Sequence, residues 1–164
     1  ERMVGFRFKA AHFEDLNRLH KDKEVGKTMG GVWSDDLVLR RLQIYCDHWD
    51  KHRFGMWMFY HKESGDFIGR GGLAKKEIDG IDETEVAFAV LSKYWKQGYG
   101  GEIGHQGIEI GFGELALPSL VAFTLPINIA SQTLIQKLGF SYEKDIIAFE
   151  FKQKLYRKLN PNMI

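Results

Sequence analysis

Gly98, Gly100 and Gly101 fall where a strand gives way to a helix, in the stretch YWKQGYGGEIGHQGIEIGFGE over residues 94–114. The first amides of a helix have no partners inside it and carry partial positive charge. Left bare of side chains, they suit a phosphate or pyrophosphate, with Lys96 and Gln97 at the rim. The dinucleotide fingerprint is not met, because its third glycine would fall at Ile103, and neither is the P-loop pattern. A flexible turn with glycines tucked under a sheet is the competing reading of the same residues. It is the preferred one for Gly104, Gly107, Gly111 and Gly113, which read as close helix–strand contacts, each costing roughly 1 kcal/mol of helix propensity.

Other chemistry-bearing residues point less far. His48 and His52 share a helical face beside Asp47, but no third metal ligand accompanies them, and a solvated face is expected with no metal. His105 reads as a partly buried structural histidine. Cys46 reads as a buried thiol, and Trp33, Trp49 and Trp57 as core residues.

These residues must be positioned by an alternating set of strands and helices. Residues 3–8 alternate loosely as a strand. Phe13, Leu16 and Leu19 have helical spacing, with Glu14 and Asp15 near the positive end. The stretch TMGGVWS reads as a loop. Ser34 or Asp35 can cap a helix whose stripe is Leu39, Leu42, Tyr45 and Trp49. Residues 54–61 and FIGRGGLA form a hairpin through KESGD, and KKEIDGIDE reads as a polar loop. Along residues 84–90, Val86, Phe88 and Val90 face one way and Glu85, Ala87 and Ala89 the other. After the glycine-rich helix comes a strand over residues 119–125. A helix then runs from Asn128 to a left-handed cap at Gly139, and one or two closing strands follow. The order predicts a mixed α/β (α+β) domain, with about four helices on a largely antiparallel sheet.

The totals are consistent with one domain over residues 1–164. Hydrophobic residues at 44% and charged residues at 27% suit a globular chain. A net charge of +1 with no basic block argues against nucleic acid or anionic lipid as partners. The single cysteine excludes an intrachain disulfide and a four-cysteine zinc site. No apolar run reaches the roughly 18 residues of a membrane span, and no signal peptide is recognised, so a cytoplasmic location is expected.

Read together, Tyr94-Trp95-Lys96-Gln97-Gly98-Tyr99-Gly100-Gly101-Glu102, Asn128 with Ser131, and Lys137-Leu138-Gly139-Phe140 resemble the GCN5-related N-acetyltransferase (GNAT) family, and within it the Rim-type (RimJ/RimL) subgroup. The resemblance covers nearly the whole chain. It departs at Trp95, where the wider family has Arg or Gln, and at Lys96, where glycine is common. It implies a sheet of about seven strands whose fourth and fifth strands splay apart around the pantetheine arm of acetyl-coenzyme A. The pyrophosphate would lie on the turn before the central helix.

The same resemblance implies direct acetyl transfer to a primary amine, on a protein N-terminus or a small molecule, without a metal. A monomer or homodimer is expected. The backbone around Ala89, Val90 and Leu91 would bind the thioester carbonyl and supply the oxyanion donor. Lys96, Gln97, Gly98, Tyr99, Gly100, Gly101, Asn128 and Ser131 would complete the cofactor site. The tyrosine that many relatives use to protonate the leaving thiolate is replaced by Ile135, and Ser131 takes that role in this reading. Glu85, beside Ala87 and Ala89, is the candidate base. The acceptor would be bounded by HFED, TMGGVW and residues 75–83. The alternative is a non-catalytic acyl-coenzyme A sensor on the same fold.

Overall fold

The two-sided alternation of residues 84–90 sets the architecture, because both faces of that strand are covered. Val86, Phe88 and Val90 pack toward one helical layer, while Ala87 and Ala89 pack toward the other. The structure, a computed structural model, describes residues 2–163. Its strands are β1 (Met3–Arg7), β2 (Met56–His61), β3 (Phe67–Ile78), β4 (Ile81–Val90), β5 (Ser119–Thr124), β6 (Ser141–Ala148) and β7 (Phe151–Leu159). They form one seven-stranded sheet in the order β1-β2-β3-β4-β5-β7-β6. Every neighbouring pair is antiparallel except β4 and β5.

The helices are α1 (Phe13–Lys21), α2 (Lys23–Thr28), α3 (Asp35–His52), α4 (Tyr99–Glu109) and α5 (Ile129–Lys137). Helices α1 to α3 cover one face, where Leu16, Leu19, Val25, Val38 and Leu42 meet Met56, Met58 and Phe67. Helices α4 and α5 cover the other through Ile103, Ile135 and Leu138. Ser34 caps α3 by accepting from the Leu37 amide at 3.3 Å. Asp22 caps α2 by accepting from the amides of Glu24 and Val25. Gly139, at φ 88°, lies in the left-handed conformation expected after α5.

Three features depart from the sequence expectation. Among the described residues five α-helices flank the sheet, where about four were expected: α2 forms within KDKEVGKTMGG, where too few apolar residues mark a period. The residues read as a polar loop extend β3 and β4 into a long hairpin. Its turn, Asp79 and Gly80, has both φ angles positive, at 52° and 76°. In α3 the buried positions are Val38, Leu42 and Trp49, and Leu39 is exposed.

Of the four glycines read as close helix–strand contacts, two are. Gly107 leaves room for Val86 of β4 and Gly111 for Leu120 of β5, whereas Gly104 leaves room for Leu138 at the end of α5 and Gly113 faces open space. A closer approach lies on the sheet side. A Cβ at Gly71 would collide with Ile103 of α4 and lie 2.8 Å from the Ala87 carbonyl oxygen. Bare backbone on β3 therefore sets how near α4, and the site at its N-terminus, comes to the sheet. Gly71→Val is expected to destabilise the fold by about 3 kcal/mol through overpacking, read as a lower urea midpoint in equilibrium unfolding.

Candidate functional site

Strands β4 and β5 run side by side at one registered pair, Glu85 with Val121. Beyond it they diverge, β4 staying on β3 as far as Val90 and β5 staying on β7. The opening joins a cleft of about 1030 Å³. Ala87, Ala89 and Val90 line one wall and Phe123 and Thr124 the other. Gly98, Tyr99, Gly100 and Gly101 lie at one end.

Alternation along β4 decides which amides face the gap. The Leu91 amide donates to the Ile68 carbonyl at 2.9 Å. In an antiparallel ladder, Ala89, two residues away, then also turns its amide toward β3, and the Val90 amide points the other way, into the splay. Of the three residues expected to supply an oxyanion donor, Val90 alone is oriented to do so. Leu91 is corrected on both counts: its amide is spent, and its side chain is buried in the core under α1 to α3. The Val90 carbonyl accepts from Trp95 Nε1 at 2.8 Å, which pins the turn that follows.

That turn delivers bare amides. Gly98 sits at the N-cap of α4 with φ 86°, and no side chain caps the helix. Lys96 adopts φ 60° without being a glycine, so this position, where the resemblance led glycine to be expected, takes left-handed backbone. Gln97 is a further correction. Its side chain donates back to the Lys93 carbonyl at 3.0 Å, and its own carbonyl accepts from Arg2 at 2.8 Å, so it braces the turn rather than facing the cleft. Arg2 also pairs with Glu102 and lies 4.0 Å above the Tyr99 ring. At Gly100 an added Cβ would lie 3.1 Å from Leu134, so this glycine also sets the spacing of α4 and α5. Lys96 and Lys137 line the cleft at this end, as cations that suit phosphate.

Asn128 and Ser131 line the same cleft from α5. Asn128 Oδ1 accepts from the Ser131 amide at 3.1 Å, so the cap uses the backbone of Ser131 and not its side chain. Among the described residues the Ser131 hydroxyl makes no hydrogen bond. Ile135, in the place of the tyrosine, is buried in the core.

Glu85 is buried on β4 at the floor of the cleft, facing α1 to α3. Burial raises its pKa; Lys76, Arg70 and Arg41 pull it partly back. A carboxylate in such surroundings releases its proton nearer neutrality and can then accept one from an ammonium.

Several residues missed by sequence reading complete this half of the cleft. Arg41 and Tyr45 of α3, Arg70 of β3 and Phe149 of the β6–β7 turn all line it. Arg70 had a signal, a charge set among glycines within an apolar strand; Arg41 is indistinguishable from a surface charge in the sequence. Of the expected boundaries, TMGGVW contributes Thr28, Met29, Gly30, Val32 and Trp33, and residues 75–83 contribute Lys76. HFED does not line the cleft; Asp15 accepts from the Tyr60 hydroxyl at 2.7 Å instead.

The remaining candidates are structural. His48 accepts from the Lys75 amide at Nε2 (2.9 Å) and meets the Phe54 carbonyl at Nδ1 (2.9 Å), so both ring nitrogens are occupied. No group of three metal-ligating side chains occurs among the described residues. His105 is exposed rather than partly buried. The triplet Gly26-Lys27-Thr28 lies inside α2, with Lys27 paired to Glu24 and the Thr28 hydroxyl on the Val25 carbonyl, so it is not a phosphate loop. No helix among the described residues is long and apolar enough to cross a membrane.

Comparison with known proteins agrees with this geometry. The acetyltransferase (GNAT) domain family matches residues 6–141. The protein YkkB of Bacillus subtilis (strain 168) is 25% identical over 107 residues, 65% of this chain and 62% of its own length. The chain thus spans less than two thirds of that relative. An acetyltransferase from Agrobacterium tumefaciens superposes with a TM-score of 0.83 at 20% identity, covering 96% of this chain and 91% of that one. A ribosomal-protein-S5-alanine acetyltransferase from Vibrio fischeri gives 0.69 at 17% identity over 99% and 95% of the two chains. Spermidine N-acetyltransferase from Vibrio cholerae, in complex with CoA and spermine, gives 0.73 at 14% over 97% and 96%. At these identities the structures establish the fold.

His20 generates a test of this wall. It is buried against Trp33, the rings 3.7 Å apart and nearly parallel, and burial drives its pKa down to about 2. Since the unfolded chain takes up this proton below about pH 6.5, stability is present above that pH and is lost as pH falls. The slope should reach about 1.4 kcal/mol per pH unit. Urea unfolding between pH 7 and pH 5 is expected to show a shallower loss for His20→Phe than for the parent.

Proposed function

Because the chain belongs to the acetyltransferase (GNAT) domain family, whose model spans most of it, we propose that it transfers an acetyl group from acetyl-coenzyme A directly to a primary amine. The observation that carries this reading is the single registered pair between β4 and β5, opening toward uncapped amides at the start of α4. The cleft suits the cofactor: bare amides and two lysines for the phosphates, then a gap with apolar walls for the arm. When bound, acetyl-coenzyme A supplies an activated acyl group on a thiol leaving group.

The chain's own residues then divide the work. The amides of α4 and the side chains of Lys96 and Lys137 hold the phosphates. The Val90 amide, turned into the gap, donates to developing negative charge on the carbonyl oxygen. Glu85 takes the proton of the incoming ammonium, directly or through water. The Ser131 hydroxyl, unspent on capping, donates to the departing sulfur. A protein N-terminus and a small molecule both remain compatible with these roles, as does a Rim-like lineage. The cytoplasm is the compartment that supplies the cofactor in this reading.

An acceptor screen with acetyl-coenzyme A, reading free thiol, tests the proposal. Coenzyme binding without thiol release for any amine would favour the sensor reading, which the buried Ile135 in place of tyrosine keeps open. With a productive acceptor, kcat/KM is expected to rise with pH through a limb displaced above the ordinary carboxylate range, because only deprotonated Glu85 accepts a proton. Glu85→Gln should remove that limb and lower kcat/KM by about 100-fold. An unchanged profile would exclude Glu85 as base. Ser131→Ala should lower kcat about ten-fold while leaving coenzyme affinity intact. The Asn128 cap survives that change, so calorimetry of coenzyme binding separates the two effects.

A further inference from the structure

The acceptor half of the cleft contains a buried cation that, among the described residues, has no hydrogen-bond or ion-pair partner. Arg70 is 6% exposed and its Nε has no hydrogen-bond partner. Among the described residues its guanidinium makes no hydrogen bond or ion pair, and it lies 5.5 Å from the centre of the Tyr45 ring. Removing a guanidinium from water without an anion is costly, so a ligand that brings an anion to it would offset that cost. Its position is fixed by the strand: Arg70 pairs with Ala89 across β3 and β4, next to the last pair of the ladder, Gly69 with Val90. It therefore stands beside the open part of the splay.

The surroundings reinforce the sign. Arg41 and Lys76 line the same space, with Arg41 4.5 Å and Lys76 4.9 Å from the Phe149 ring. The carboxylates that line this half are Glu85, buried on β4, and Glu150, exposed in the β6–β7 turn. Among the described residues neither Arg70 nor Glu85 makes an ion pair, so Glu85 does not neutralise Arg70 by contact. A buried carboxylate and a buried guanidinium on one face of one hairpin form a matched receptor for a molecule carrying both an ammonium and an oxyanion. A polyamine would bring further positive charge against three cations.

We propose that the acceptor is a small primary amine bearing its own oxyanion, a carboxylate or a phosphonate, with the oxyanion on Arg70 and the amine toward Glu85. This deepens the acetyltransferase reading and rests on it for the direction in which the amine points. The fork of the guanidinium fits either oxyanion with two parallel hydrogen bonds.

The test uses matched sets of amines: an α-amino acid, the amine left after its decarboxylation, and the corresponding aminophosphonate, with spermidine as a polycationic comparison. Each is titrated calorimetrically into the protein saturated with coenzyme A, and each is assayed for thiol release with acetyl-coenzyme A. The oxyanion-bearing members are expected to bind at least about ten-fold more tightly than their decarboxylated partners, with spermidine weakest. The amino acid and aminophosphonate arms tell the two oxyanions apart. In Arg70→Met the gap within each set should close to about three-fold or less, and Arg70→Lys should restore part of it. Tighter binding of the decarboxylated amines or of spermidine to the parent protein, or binding of no oxyanion-bearing member, overturns the proposal, whatever the variants do. Selective binding without thiol release would leave the oxyanion site standing and refute acetyl transfer. Thiol release with amines lacking an oxyanion, at equal or better kcat/KM, would do the reverse.

Discussion

The structure depends on a ladder that stops. Strand β4 is held to β3 along its whole length, and to β5 at Glu85 and Val121. Beyond that pair, the backbone groups of β4 that point away from β3, and those of β5 that point away from β7, face a gap. A buried amide without a partner is unfavourable, so the sheet is completed only when water or an extended ligand enters. The same separation gives the cleft two apolar walls, and it places the Val90 amide at the mouth of the gap, with the amides of α4 just after it along the chain. The binding geometry follows from one missing stretch of pairing, and the helices are arranged around it.

Left-handed backbone occurs at both ends of this cleft, as it does at Arg53, Asp79 and Ala116 elsewhere. At one end Lys96 and Gly98 take left-handed conformations in the turn before α4, and at the other Phe149 and Glu150 do so in the β6–β7 turn. Each non-glycine residue held there costs on the order of 1–2 kcal/mol, and surrounding contacts must over-determine it. For the first turn those contacts are visible. Trp95 is tied to the Val90 carbonyl, Gln97 to Lys93 and Arg2, and Arg2 to Glu102. For the second, Phe151 fills the space that a side chain at Gly30 would occupy, and Arg41 and Lys76 lie against Phe149. Both turns are locked in shapes that their sequences do not favour, and both line the site.

The electrostatics divide along the same axis. At the α4 end, partial charges of a helix terminus and two lysines form a diffuse positive field suited to phosphates. At the other end the charges are discrete and buried, with Glu85 and Arg70 standing unpaired on one face of the β3–β4 hairpin. Low dielectric makes each of these groups sensitive to what occupies the cleft, which is why burial alone moves the proton affinity of Glu85 upward.

The strand alternation, the glycine-rich turn, the Asn128 cap and the Gly139 stop were all legible in the sequence, because each is a local rule acting over a few residues. That was enough for the family and for most of the residues that line the cleft at its α4 end. What escaped was set by distance in sequence. No local pattern shows that the Leu91 amide is used by Ile68, that Gln97 turns back to Lys93, or that HFED lies outside the cleft. Nor does one show that Arg41, Arg70, Lys76 and Phe149, drawn from α3, β3 and the β6–β7 turn, meet around Glu85. Periodicity fixes which face a residue takes; only the packed sheet, with its one interrupted ladder, decides which charges share a cleft.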